Sequence, residues 1–172
     1  MTSRPGIDTW KAHQTAFDRV RSVALTLSEP RSAGWIAERA RVADNTARDH
    51  LQRLVEMDVL RTTATDGATR YAPDPLYTRM RALRDLLDGR DRDDLLALKA
   101  DLQAQIETWR DRYEVDSPTD LRERAAETDT ASETRDLRQT ANDWDIVRYR
   151  LRLVEDAVEH YAEYAGGAPT PA

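Results

Sequence analysis

The sequence predicts a mainly α-helical chain with a small β-wing: a winged helix-turn-helix domain over residues 1–75, then an α-helical, coiled-coil-like dimerisation region over residues 76–172. Three observations predict it. The segment Arg31–Asp74 reads as two short helices around a tight turn, followed by two short strands around Asp66-Gly67. Beyond Leu76, apolar residues recur at steps of three and four, the period of a buried helix face. The charge is also uneven, with 11 Lys/Arg against 10 Asp/Glu in residues 1–75 and 15 against 22 in residues 76–172. The more basic part is the part with the helix-turn-helix, which fits nucleic-acid binding at that end, although a balance of +1 is a weak attractant.

Taken in order, Asp8 or Thr9 is placed to cap a first helix running to about Leu27, with Trp10, His13, Phe17, Val20, Ala24 and Leu27 on one stripe. Pro30 stops it, because proline cannot continue the hydrogen-bond ladder. Ser32 caps a second helix to about Ala40, in which Trp35 and Ile36 face inward and Ala37 and Ala40 allow close approach. Arg41-Val42-Ala43 makes the turn. Asp44 then caps a third helix, Asn45–Met57, whose buried side is Ala47, Leu51, Leu54 and Val55. Val59 and Leu60 begin a strand, and Arg61–Ala64 and Thr69–Ala72 pair across Thr65-Asp66-Gly67-Ala68, a two-stranded wing with Asp-Gly as the hairpin signal. Pro73 and Pro75 stop the second strand.

The remainder is helical. Leu76–Asp88 is closed by Gly89, and Asp91–Glu114 carries Leu95, Leu98, Leu102, Ile106, Trp109 and Tyr113 on one stripe. Ser117-Pro118, a cap followed by proline at the first helical position, opens Thr119–Glu127. The last helix runs from about Thr130 to Ala165. Trp144, Val147, Leu151, Val154, Val158 and Tyr161 form a seam of coiled-coil type, beside a second row of Ile146, Tyr149, Leu153 and Ala157. A helix apolar on two sides must bury both, so this helix is the expected homodimer interface.

Composition narrows the function classes. There are no cysteines, which excludes disulfides, thiolate metal sites and cysteine nucleophiles. No Gly-rich phosphate loop, Gly-x-Ser-x-Gly elbow or His-Glu-x-x-His motif occurs, and the carboxylates sit in charge-rich helical runs, so no enzyme activity, cofactor or metal is expected. His160, near Glu155, Asp156, Glu159 and Glu163, reads as part of a solvated acidic face in preference to a cation site. The N-terminus has no apolar h-region and no apolar run approaches the roughly 20 residues of a membrane span, so a cytoplasmic chain without a membrane partner is expected. Only Lys11 and Lys99 are lysines, acids outnumber bases, and aspartate exceeds glutamate. That bias points to a salt-adapted cytoplasm of the haloarchaeal type, with a GC-rich genome as the competing source.

The stretch Val42–Leu60, VADNTARDHLQRLVEMDVL, resembles the recognition region of winged helix-turn-helix transcription regulators of the ArsR and MarR type. Asn45-Thr46 stands at their small polar pair and Arg48-Asp49 at their variable pair. His50-Leu51-Gln52-Arg53-Leu54 matches their His-Leu-x-x-Leu core, and Asp58-Val59-Leu60 their Gly-Leu-Val-like run into the wing. The whole chain resembles an uncharacterised haloarchaeal winged-helix family with a helical C-terminal half. Metal sensors of the ArsR group use cysteine pairs or His/Asp clusters. Here cysteine is absent and His13, His50 and His160 are far apart, so the resemblance implies DNA binding without metal sensing.

In such domains the first two turns of the recognition helix face the groove, and the helical wheel likewise leaves Asn45, Thr46, Arg48, Asp49 and Gln52 off the apolar side. Arg48 suits guanine O6/N7, Gln52 suits adenine, and Asp49 suits cytosine N4 or the orienting of Arg48. Thr46 suits a phosphate. Arg53 would meet a phosphate or pair with Glu56 or Asp49, and Arg61 and Arg70 on the wing would reach the DNA backbone or minor groove. Each is otherwise an ordinary solvated side chain. His50 is expected to support the domain. The expected function is a homodimeric, sequence-specific regulator placing Asn45–Met57 in the major groove of double-stranded DNA, the two helices about 34–36 Å apart. The alternative is a winged-helix protein–protein interaction module without sequence-specific DNA binding. An effector pocket between the C-terminal helices would draw on Trp109, Tyr113, Trp144 or Tyr149, aromatics that more often serve as plain core.

Overall fold

Thr15 opens the first helix of the computed structural model, which describes residues 15–65 and 67–166. Its hydroxyl accepts from the Asp18 amide (3.1 Å) and the Asp18 carboxylate accepts from the Thr15 amide (3.2 Å), a reciprocal cap that fixes the start of α1, Ala16–Leu25. The expected caps Asp8 and Thr9, with Trp10 and His13, lie outside the described residues. The chain divides into two units, Met1–Met80 and Arg81–Ala172.

In the first unit, the Ser32 hydroxyl accepts from the Trp35 amide (3.3 Å) and caps α2, Ala33–Ala40. Ile36 is fully buried, and Trp35, half-buried, packs against the same core, with the guanidinium groups of Arg39 (4.4 Å from the ring centroid) and Arg31 (5.0 Å) in cation–π contact with its ring. The turn is a Schellman motif: Arg41 takes the left-handed conformation (φ 55°), Val42 donates to the Ala37 carbonyl (3.1 Å) and Arg41 to that of Glu38 (3.3 Å). The N-cap of the next helix, α3 (Asp44–Glu56), is Ala43, without a side-chain hydrogen bond. Asp44 is therefore the first helical residue and not the cap; its carboxylate still lies at the positive end of the helix dipole.

A second Schellman turn ends α3, with Asp58 donating to the Val55 carbonyl (3.0 Å) and Val59 to that of Leu54 (2.9 Å). Asp58 is left-handed (φ 57°), at the position where the resembled regulators carry glycine. Such a conformation costs an L-residue about 1–2 kcal/mol, part of which glycine returns as entropy lost on folding. Asp58→Gly is expected to stabilise the chain by about 0.5–1 kcal/mol, read as a higher urea midpoint at unchanged slope. A lower midpoint would show that the Asp58 side chain contributes more than the turn costs.

Strands β2 (Leu60–Thr65) and β3 (Ala68–Pro73) pair antiparallel, from Arg61 opposite Ala72 to Thr65 opposite Ala68, with Gly67 just before β3 at φ 74°. A third strand completes the sheet: β1, Arg31–Ser32, lies opposite Tyr71 and Arg70, giving the order β1-β3-β2. The core of this unit gathers Val20 and Ala24 of α1, Ile36 and Ala37 of α2, and Leu51 and Leu54 of α3.

Asp74 accepts from the amides of Leu76 (2.8 Å) and Tyr77 (3.1 Å), starting α4, Pro75–Leu87. Pro75 is thus the first residue of a helix as well as the stop after a strand. The second unit follows with α5 (Arg92–Tyr113), α6 (Pro118–Ala126), α7 (Ala131–Glu159) and the short α8 (Tyr161–Tyr164), the three long ones capped by the side chains of Asp91, Ser117 and Thr130. The helix expected to run from Thr130 to Ala165 breaks at His160, whose backbone (φ −105°, ψ 21°) leaves the helical region. Helix α7 packs on α5 and α6, and its seam is spent there: Trp144, Val147 and Val154 are buried with Leu102, Ile106 and Leu121. The second row divides. Leu153 and Ala157 are buried, whereas Ile146 and Tyr149 are 63% and 40% exposed.

Candidate nucleic-acid interface

One turn of an α-helix advances 3.6 residues, so burying Ala47, Leu51 and Leu54 turns the opposite face of α3 outward. Asn45, Arg48, Asp49, Gln52 and Glu56 lie on that outward face, all exposed. Arg48 and Asp49 form no hydrogen bond or ion pair among the described residues, with each other included. Asp49 therefore does not orient Arg48 in the free chain. Gln52 donates its amide to Glu56 (3.3 Å), a contact it must release before its side chain turns to a base edge. Glu56 is a member of this face that sequence reasoning placed only as a partner for Arg53.

The flank of α3 is built differently. Thr46 is half-buried and His50 packs edge-on against Phe17 of α1 (ring centroids 5.5 Å, interplanar angle 84°). Arg53 pairs with neither Glu56 nor Asp49; its guanidinium lies over the Phe17 ring, 5.5 Å from the centroid. Phe17 thus takes His50 and Arg53 together and ties the flank of α3 to α1.

On the wing, strand register decides which side chains share a face. Arg61 lies opposite Ala72 and Thr63 opposite Arg70, so Arg61, Thr63 and Arg70 occupy one face of the sheet, with Ser32 on the other side of Arg70. Thr63 Oγ1 and Arg70 Nε are both shielded from solvent without a hydrogen-bond partner. Two such groups side by side retain unused donor and acceptor capacity, which is costly unless something else meets it. Thr63 was missed by the sequence reading; the alternation of the strand with the hairpin register was the signal that could have found it. The α3 face and the wing face are two separate sets, with no hydrogen bond or ion pair between them among the described residues.

Elsewhere, His160 Nδ1 meets Asp156 at its carbonyl oxygen (3.2 Å) and at Oδ1 (3.0 Å). The carbonyl contact first, and then the charges of Glu159 and Asp156, hold its imidazole above the usual histidine range. Among the described residues, no three His, Asp or Glu side chains converge as a metal site would need, and no helix is long and apolar enough to cross a membrane.

The profile of a family of unknown function, DUF7342, matches residues 14–163. The chain belongs to DUF7342. No curated protein matches this DUF7342 chain. A crystal structure described as a transcriptional regulator aligns with 92% of each chain at 14% identity and a TM-score of 0.36, too slight a likeness to establish a shared fold.

Proposed function

We propose that the chain is a sequence-specific DNA-binding transcription regulator that acts as a homodimer, with α3 as its recognition helix in the major groove. The observation that carries this reading is the outward face of α3. Asn45, Arg48, Asp49 and Gln52 are exposed on a helix whose other side is anchored in the core, and Arg48 is not engaged by any described carboxylate. An arginine, an amide and a carboxylate side by side are the groups that distinguish base pairs by their major-groove edges. Arg61 and Arg70 on one face of the wing add two cations suited to phosphate oxygens, Arg61 the more exposed of the two. Arg53, resting on Phe17, would meet a phosphate at the margin of the helix. His50 supports the helix and does not read sequence. The reading is tested by measuring binding of a selected duplex to the native chain and to Arg48→Ala/Gln52→Ala. Loss in the variant supports it; equal binding contradicts it.

The dimer surface proposed with this reading is the exposed part of α7. Because the seam of α7 is buried in its own unit, a second copy would meet the exposed pair Ile146 and Tyr149. Light scattering of the native chain is expected to give a dimer, and Ile146→Asp/Tyr149→Asp a folded monomer. A native chain that is strictly monomeric at working salt would remove the dimer from the proposal.

A further inference from the structure

The helical unit holds a cavity of about 370 Å³ between α5, the turn after it, and α7. Its apolar lining is Ile106, Trp144 and Leu151, and three arginines, Arg110, Arg148 and Arg152, line it as well. The three cations are differently committed. Arg110 is paired with Glu107 (2.6 Å), and Arg152 lies over the Tyr149 ring at 6.0 Å from its centroid. Arg148 has neither a hydrogen bond nor an ion pair among the described residues. Asp116, the other acid lining the cavity, likewise forms no ion pair among them.

Trp144, Arg148, Leu151 and Arg152 are spaced at four, three and one residues along α7, so aromatic, cationic and aliphatic groups share one helix face. Two arginines four residues apart with no acid between them repel, an arrangement that costs stability unless an anion meets both. It occurs in a part of the chain where acids outnumber bases 22 to 15, so carboxylates are plentiful nearby yet do not neutralise it.

We propose that this cavity binds a small organic carboxylate with an apolar body. Guanidinium groups match a carboxylate in plane, by paired N–H donors, where an ammonium would offer only a point charge. Leu151, half-buried, with the small exposed parts of Ile106 and Trp144 beside it, would meet the body of the ligand. The volume lies at the small end of the range typical of ligand pockets, roughly 300–1,000 Å³, and suits a single ring or short branched chain. Of the four aromatics read from the sequence as pocket residues, only Trp144 lines this cavity; Trp109 and Tyr113 pack against the core and Tyr149 is exposed. The site lies wholly within the helical unit and does not depend on DNA binding.

The test is calorimetric titration of the full chain with benzoate, phenylacetate and hexanoate, beside benzamide as the uncharged control and inorganic phosphate as an anion without an apolar body. Saturable binding of at least one carboxylate is expected, with benzamide and phosphate clearly weaker. Arg148→Gln/Arg152→Gln is expected to lower that affinity by about tenfold or more without lowering its ligand-free melting temperature, since both side chains are exposed and their mutual repulsion is removed. No saturable binding of any of the three acids at millimolar concentration would overturn the proposal. So would phosphate binding as well as the acids, or affinity indifferent to the double substitution.

Discussion

Arg48→Ala/Gln52→Ala is expected to lower affinity for a selected duplex by about a hundredfold or more at fixed salt, leaving binding to unrelated duplex much less changed. Each good paired contact to a base edge is worth about 1–3 kcal/mol of discrimination, and about 1.4 kcal/mol is tenfold. Gln52 belongs near the lower end, because its amide must first leave Glu56. Arg48 carries more, since it breaks no ion pair on engaging DNA. Both side chains are exposed on α3, and alanine is the better helix former, so the variant should keep the native melting temperature within the small range of surface substitutions. Fluorescence anisotropy on selected and scrambled duplexes, beside thermal unfolding, separates loss of recognition from loss of fold.

Trp144→Ala is expected to destabilise the helical unit by about 3–5 kcal/mol, the usual cost of emptying a large aromatic site. Trp144 is 1% exposed and packs on Trp109 with ring centroids 5.7 Å apart, in the core shared by α5, α6 and α7. Against a typical domain stability of about 5–15 kcal/mol, that loss brings the unit close to unfolding. The first unit has its own core, so urea unfolding should separate into an early transition for the helical unit and a later one for residues 1–80. A variant with an unchanged midpoint would show that Trp144 does not anchor this core.

What the sequence made legible follows from how local each interaction is. Ser32 and Ser117 cap helices because a hydroxyl meets an amide three residues on, and the Asp-Gly signal between the two strands pointed to the register that pairs Arg61–Ala64 with Thr69–Ala72. The outward face of α3 was readable from the spacing of Ala47, Leu51 and Leu54. Strand β1 was not, because its pairing with Tyr71 and Arg70 spans about 40 residues and a two-residue strand has no period of its own. The inward packing of Trp35 was legible from hydropathy, but its contacts with Arg31 and Arg39 were not, because they depend on side-chain geometry. The seam of α7 looks the same in sequence whether it meets a second copy or α5 and α6. Only the packing distinguishes them, and it leaves Ile146 and Tyr149 as the uncovered remainder.

The most direct measurement of the central claim is genome-wide DNA occupancy of the tagged chain in its own host, beside the Arg48→Ala/Gln52→Ala variant. Sharp peaks that share an inverted repeat and vanish in the variant are expected. Absence of enrichment, or a profile that the double substitution leaves unchanged, would contradict sequence-specific DNA binding and favour a winged-helix module that docks on protein.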